Sequence, residues 1–195
     1  MRNGFLYKTT ALIIALMFLL TGCGNPAKKA EEAVNSAFAA LQKADFEELG
    51  KYVTNAEPFG GDTMGLVDDV DALGDAMYGR MEHKITSSEL QKDGSVTVTA
   101  DITNVDMSKA FDSWYTAIFA FMTSEEAKSL NQEELIARSS EMLFNTIKTA
   151  EDTITTTVDI TVSKNEKGKW QLEVDNDLID AASGGIVSVL GNNNQ

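Results

Sequence analysis

The chain is 195 residues long and carries 30 acidic against 16 basic side chains, a formal charge of −14. That balance excludes binding to nucleic acid through its phosphates, which requires clustered Lys and Arg. The length suits one domain with a proper core, and a single cysteine, Cys23, excludes a disulfide within the chain.

Arg2 and Lys8 make the N-terminus positive, and no acid occurs before Glu31. The apolar run Ala11–Leu20 is shorter than the roughly 20 residues a bilayer crossing needs, but it suits a secretory h-region. Leu20-Thr21-Gly22-Cys23 resembles the lipobox of bacterial lipoproteins. The resemblance implies cleavage between Gly22 and Cys23 and a diacylglyceryl group on the Cys23 sulfur. Two acyl chains hold a protein firmly where one does not. The expected organisation is a signal peptide over 1–22, a lipidated tether over 23–26, one domain over 27–190 and a disordered tail over 191–195. The expected location is the bacterial cell envelope, membrane-anchored and facing outside the cytoplasm. Loss of Arg2 and Lys8 with the leader takes the charge from −14 to −16. An anionic surface repels such a body beyond a short screened distance. Lys28-Lys29 is the exception, each lysine favouring the membrane by about 1 kcal/mol.

Ala30, Val34, Ala37, Phe38 and Leu41 recur at helical spacing. Asp45 and Glu48 have the spacing of a capping box before a second helical face of Phe46, Leu49 and Val53. After Gly60-Gly61, a third helix is expected from Thr63 to about Arg80. The period then falls to two: Val96, Val98, Ala100 and Ile102 alternate with Thr97, Thr99, Asp101 and Thr103. Asp93-Gly94 marks a tight turn, which makes His83–Gln91 the partner strand. Ile154, Val158, Ile160 and Val162 repeat the alternation, and a turn through Asn165–Gly168 leads to a strand carrying Trp170, Leu172 and Val174. Two hairpins predict a four-stranded antiparallel sheet with one buried face. Thr97–Thr103 and Thr155–Thr161 both read T-x-T-x-D-I-T.

Between the hairpins, about Met107–Thr149 reads as helical. Phe111, Tyr115, Ile118 and Met122 form a stripe widened by Trp114, Phe119 and Phe121. Thr123 with Glu126 and Asn131 with Glu134 look like fresh caps that break the stretch into two or three helices. Asn176–Ala182 forms a last helical turn, interrupted by Gly184-Gly185. The expected fold is therefore α+β: a curved four-stranded antiparallel sheet packed on N-terminal helices, with a helical insertion between the hairpins.

The helix ending in "ALQKADFEELGKYV", followed by antiparallel strands closing on Gly168, Trp170 and Leu172, resembles the nuclear transport factor 2-like superfamily. It is similar above all to its lipobox-bearing members on bacterial surfaces. The resemblance implies a cone whose mouth holds a ligand, and the long insertion departs from that plan because it can cap or fill the cone.

Candidate chemistry is sparse. His83 has only Glu82 and Lys84 beside it and reads as a strand-end histidine. An EF-hand loop from Asp69 fails because Leu73 and Arg80 occupy ligand positions, so Asp68, Asp69 and Asp75 read as the wet side of a helix. Asp101 and Asp159 occupy equivalent strand positions; as neighbours in a cone mouth they could serve acid–base chemistry, and otherwise they face water. Trp114 and Tyr115 would line an apolar site if the insertion lids a cavity. The leading expectation is a non-enzymatic, lipid-anchored domain binding a small apolar ligand or an envelope protein, with no cofactor and no metal. The alternatives are an isomerase, dehydratase or hydrolase using carboxylates, and a structural or interaction domain with a filled cone. Replacing Cys23→Ser is expected to release the protein from the membrane fraction; unchanged fractionation would refute the anchor.

Overall fold

The structure, a computed structural model, describes residues 25–60 and 70–192. The leader, Cys23 and the Gly22–Cys23 cleavage point lie outside the described residues, as do Asp68 and Asp69. Helix α1 (Pro26–Leu41) starts on Pro26, with the Asn25 carboxamide accepting from the Ala27 N–H at 3.1 Å. Proline fits the first helical position because its missing N–H would have no partner there. Ala30, Ala33, Val34, Ala37, Phe38 and Leu41 form the buried face. Asp45 caps the single turn α2 (Phe46–Leu49) through the Glu48 N–H at 2.9 Å. The helical face expected to run on through Val53 stops there for a tertiary reason. Leu172 N–H donates to Tyr52 O at 2.8 Å and Thr54 N–H to Leu172 O at 2.9 Å, drawing Val53 beside the sheet as a bridge. The turn α3 (Glu57–Gly60) and helix α4 (Val70–Tyr78) follow. The earlier part of the third expected helix lies outside the described residues.

The sheet has four antiparallel strands in chain order: β1 (Glu82–Leu90), β2 (Val96–Val105), β3 (Thr153–Lys164) and β4 (Trp170–Leu172). This is the expected α+β architecture, with N-terminal helices and a helical insertion between β2 and β3. The last strand is shorter than its alternation suggests. The repeated T-x-T-x-D-I-T segments pair with each other about a local two-fold: Thr97 opposes Thr161, Thr99 opposes Asp159, Asp101 opposes Thr157 and Thr103 opposes Thr155. The shared strand chemistry thus forms a self-complementary ladder of polar pairs. On the other face, Val96, Val98, Ala100, Ile102, Val158, Ile160, Val162 and Leu172 are buried against α1 and helix α8 (Asn176–Ala182).

Strand β1 runs back along α1. Gln42 Nε2 donates to Met81 O at 2.5 Å, His83 Nε2 meets Asn35 Oδ1 at 2.8 Å, and Ser88 Oγ donates to Glu31 Oε1 at 2.5 Å. Both hairpin turns therefore lie at the Pro26 end of α1. The insertion leaves β2 at the other end, ten residues or about 33 Å away along the strand.

The insertion comprises α5 (Met107–Met122), α6 (Glu125–Ser129) and α7 (Gln132–Thr149). Asn131 and Glu134 form the expected capping box. The cap of α6 is Ser124, whose hydroxyl accepts from the Ala127 N–H at 3.2 Å. Thr123, expected in that role, ends α5 instead, its hydroxyl bonded back to Phe119 O and Ala120 O. A second apolar cluster of Val105, Met107, Phe111, Leu143, Ile147 and Ile186 joins the insertion to α4 and helix α9 (Ile186–Asn192). Helix α9 carries the chain into Gly191 and Asn192, the first residues of the segment expected to be a disordered tail.

Three helix C-termini meet at this end, and their last carbonyls have no partner within the helix. Asn104, one of the two buried polar residues among those described, answers two of them: its Nδ2 donates to Met77 O at 2.9 Å and to Ala182 O at 2.6 Å, while its Oδ1 accepts from Val105 N–H at 2.7 Å. Arg80 answers the third, donating to Ile147 O at 2.5 Å and Ala150 O at 2.8 Å at the end of α7. Gly184, at φ 68°, closes α8 in a Schellman turn and accepts from the Met107 N–H at 2.9 Å. A Cβ at Gly184 would overlap the Val105 carbonyl oxygen. Removing one side of a buried hydrogen bond costs about 1–3 kcal/mol for each group left bare. Asn104→Leu is expected to lower stability by about 3 kcal/mol, or about 6–12 °C in melting temperature. Gly184→Ala is expected to destabilise by pushing α5 off the sheet end. Melting temperatures equal to wild type would show that the junction is not held this way.

Candidate functional site

The insertion starts from an unambiguous cap: the Asp106 carboxylate accepts from the Lys109 N–H at 3.2 Å, and the Lys109 ammonium lies 2.9 Å from Asp152 just before β3. These contacts orient α5. Met107, Ala110, Phe111 and Phe121 face inward. Trp114 is half-buried behind them, its ring edge-on to Phe111 with centroids 6.1 Å apart and its Nε1 donating to Ser139 O of α7 at 3.3 Å. The expected inward stripe is therefore split. Tyr115 and Met122 are each 53% exposed and Phe119 is 74% exposed, a second apolar stripe at i, i+4 and i+7 that nothing among the described residues covers. The buried stripe is turned round the helix toward Ala110 and Phe121 relative to the expected one, because Asp106 and the β2 junction set the rotation of α5.

Tyr115 also stands on the wall of a cleft of about 530 Å³ between α5, the start of β3 and the α8–α9 turn. Phe111 and Ile154 supply its apolar lining, and Asp106, Asp112 and Asp180 its charge. The Asp180 carboxylate holds α9 in place, accepting from the Ser188 N–H at 2.9 Å and the Ser188 hydroxyl at 2.7 Å. The cleft is half-open, with apolar and acidic side chains both on its walls. That lining suits an apolar group with a cationic neighbour. Of the two aromatic residues singled out in the sequence, Tyr115 lines the cleft and Trp114 packs behind it.

Asp101 and Asp159 are diagonal neighbours on the sheet face away from the core. Each accepts from a threonine opposite: Thr157 Oγ1 to Asp101 and Thr99 Oγ1 to Asp159, both at 2.7 Å. Asp159 is exposed and Asp101 half-buried. His83 rests on Phe38 with ring centroids 4.6 Å apart, and this partial burial lowers its pKa. No group of His, Cys, Asp and Glu among the described residues could hold a metal ion. No helix among them is long and apolar enough to cross a membrane.

A second surface feature, at the opposite end of the sheet, draws on three separate segments. Lys29 of α1, Lys51 and Tyr52 after α2, and Lys169 and Trp170 of the second hairpin line a groove of about 440 Å³, with Glu32 at its edge. Lys164 sits over the Trp170 ring, 5.1 Å from its centroid. Glu48 beside Lys51 raises that ammonium's pKa. Sequence reasoning singled out the Lys28-Lys29 doublet and read Asn165–Gly168 only as a turn; the fold brings their lysines together.

The lowered His83 value has a testable sign. The unfolded imidazole binds a proton more readily than the folded one, so His83 favours the fold fully above about pH 6.5. That contribution declines as pH falls from there through the folded value. His83→Gln is expected to flatten the stability change between about pH 7.5 and 5.5, measured by urea unfolding. An unchanged slope would show that the ring titrates as freely as in the unfolded chain.

No protein-family model matches the chain. No curated protein matches it. A solved structure that does match is the Bacillus subtilis subsp. subtilis str. 168 protein ycdA, described as a "putative lipoprotein". The two are 20% identical with a TM-score of 0.45, and the match covers 88% of this chain and 54% of that one, so this chain spans about half its length.

Proposed function

We propose that this is a lipid-anchored domain of the bacterial envelope whose work is binding a protein partner through the helical insertion, without catalysis. The observation that carries the reading is the uncovered stripe Tyr115, Phe119 and Met122 running into the cleft at Tyr115. Large exposed apolar side chains gathered on one face mark interaction sites. The cleft's volume falls within the range of small-molecule pockets, but it is open along one side and continuous with a projecting helix face. That shape favours a segment of another protein over an enclosed ligand. The three lining aspartates, Asp106, Asp112 and Asp180, favour a segment in which apolar side chains are flanked by Lys or Arg.

The anchor rests on the lipobox at Leu20–Cys23, and the nuclear transport factor 2-like reading on the layout of α1, the sheet and its closing Gly168, Trp170 and Leu172. Apolar side chains fill the space between the sheet and helices α1 and α8, and the insertion sits at the end of the sheet. That filled interior supports a binding face outside it, on the insertion. The enzymatic alternative would use Asp101 and Asp159, which lie on the water-facing side with their threonine partners.

A photo-reactive benzophenone amino acid at Phe119 is expected to form a covalent adduct with an envelope protein in living cells, and the same group at Asp159 none. Phe119→Ser is expected to leave stability within about 0.5 kcal/mol of wild type, as for other exposed positions. Absence of any adduct from position 119, or equal adducts from both, would overturn the assignment of the insertion as the binding face.

A further inference from the structure

The molecule has two chemically different ends. Both hairpin turns and the start of α1 lie at one of them. Lys28 and Lys29 begin the helix, Lys92 sits in the first turn, Lys164, Lys167 and Lys169 surround the second, and Lys51 joins them at the groove. Seven of the chain's 16 basic residues are thus gathered at one end of a body whose formal charge is −14. All seven side chains are exposed. Among the described residues, only Lys51 of the seven is in an ion pair, with Glu48. Glu31, Glu32, Glu47, Glu48, Glu89, Asp93 and Glu166 share this end, seven carboxylates against seven lysines, and leave it neutral by count while the rest of the body is net negative. Asp93 and Glu31 are further occupied by hydrogen bonds from Ser95 and Ser88. The groove between the lysines is lined by the half-buried rings of Tyr52 and Trp170, the Trp170 Nε1 turned inward and its ring edge left to the groove; aromatic rings of this kind settle at membrane–water interfaces.

We propose that this end docks on anionic lipid headgroups, which hold the body upright and present the insertion away from the bilayer. The proposal rests on the anchored reading above, because only Gly24 and Asn25 lie between Cys23 and Pro26, three steps along the chain. A chain spans at most about 3.6 Å per residue, so the first turn of α1 lies within about 11 Å of the anchored position. That distance is close to one screening length at about 0.1 M salt, so the lysines feel the surface charge. At the far end of β2, about 33 Å off, the acidic cleft and the Tyr115–Phe119–Met122 stripe lie beyond it. Elsewhere the body is repelled by an anionic surface, so its charge asymmetry selects one orientation.

The chain's two tryptophans report the two ends: Trp170 lines the groove and Trp114 belongs to the insertion. Full-length protein carrying Trp114→Phe, extracted from membranes, is reconstituted into vesicles of brominated phosphatidylcholine with or without phosphatidylglycerol. Trp170 emission is expected to be quenched more strongly in the anionic vesicles, and the excess to vanish in about 1 M salt. Each lysine favours the surface about fivefold, so the triple variant Lys29→Gln, Lys167→Gln and Lys169→Gln is expected to shift the docked-to-free ratio by about a hundredfold and abolish the excess. These are exposed side chains, and the variant is expected to fold. Equal quenching in both vesicle types, no effect of the triple variant, or equal quenching of Trp114 in the Trp170→Phe protein would each overturn the docking while leaving the anchor standing. Failure to float with either vesicle would instead remove the anchor, and the docking with it.

Discussion

The arrangement depends on how three helix C-termini are satisfied at one end of the sheet. Helices α4, α7 and α8 all finish there, and the last carbonyls of each would be left bare in a poorly hydrated corner. Asn104 serves two of these helices from the final residues of β2, and Arg80 serves the third. Because Asn104 also holds Val105, and Gly184 accepts from Met107, the same contacts fix where α5 begins. A buried polar group is worth most when every partner is present, and costs most when one is missing. That asymmetry makes the junction a determinant of geometry as well as of stability. It sets the rotation of α5, and hence which aromatic side chains face water.

From this follows the division of the molecule into two chemically different ends. The hairpin turns, which need only polar and glycine-rich chemistry, collect lysines at the Pro26 end of α1. The insertion, tied down at its root by Asn104 and Gly184, projects an apolar stripe at the opposite end. The sheet between them is structural: one face is core, and the other is a ladder of Thr–Asp and Thr–Thr pairs in water. Such pairs reinforce the central strands.

Much of the fold is legible in the sequence, because local pattern and burial agree. The alternation in Val96–Ile102 and Val158–Val162, the Asp93-Gly94 turn and the Asn131–Glu134 capping box each act within a few residues. What is not legible depends on distant partners. Val53 leaves its helical pattern because Leu172, far along the chain, offers a strand edge. Thr123 and Ser124 are both plausible caps, and only the end of α5 decides between them. The α5 stripe is misread for the same reason: seven large apolar residues can face inward, and the choice among them is made at a junction involving residues 77, 104, 182 and 184. Tyr115 is singled out in the sequence as half of an aromatic pair, whereas its cleft requires Ile154 and Asp180. The lysine groove has no single-segment signature at all.

The central claim is that the insertion is bolted to the sheet as part of one cooperative unit and is not a separately mobile appendage. Native-state hydrogen exchange tests it most directly, since it reads the free energy at which each amide opens. The amides of Val105 and Met107, and of Leu143 and Ile147 in α7, are predicted to open only at the free energy that also exposes Val98 and Val158. Opening of the insertion at a markedly lower free energy, with the sheet still closed, would contradict the account.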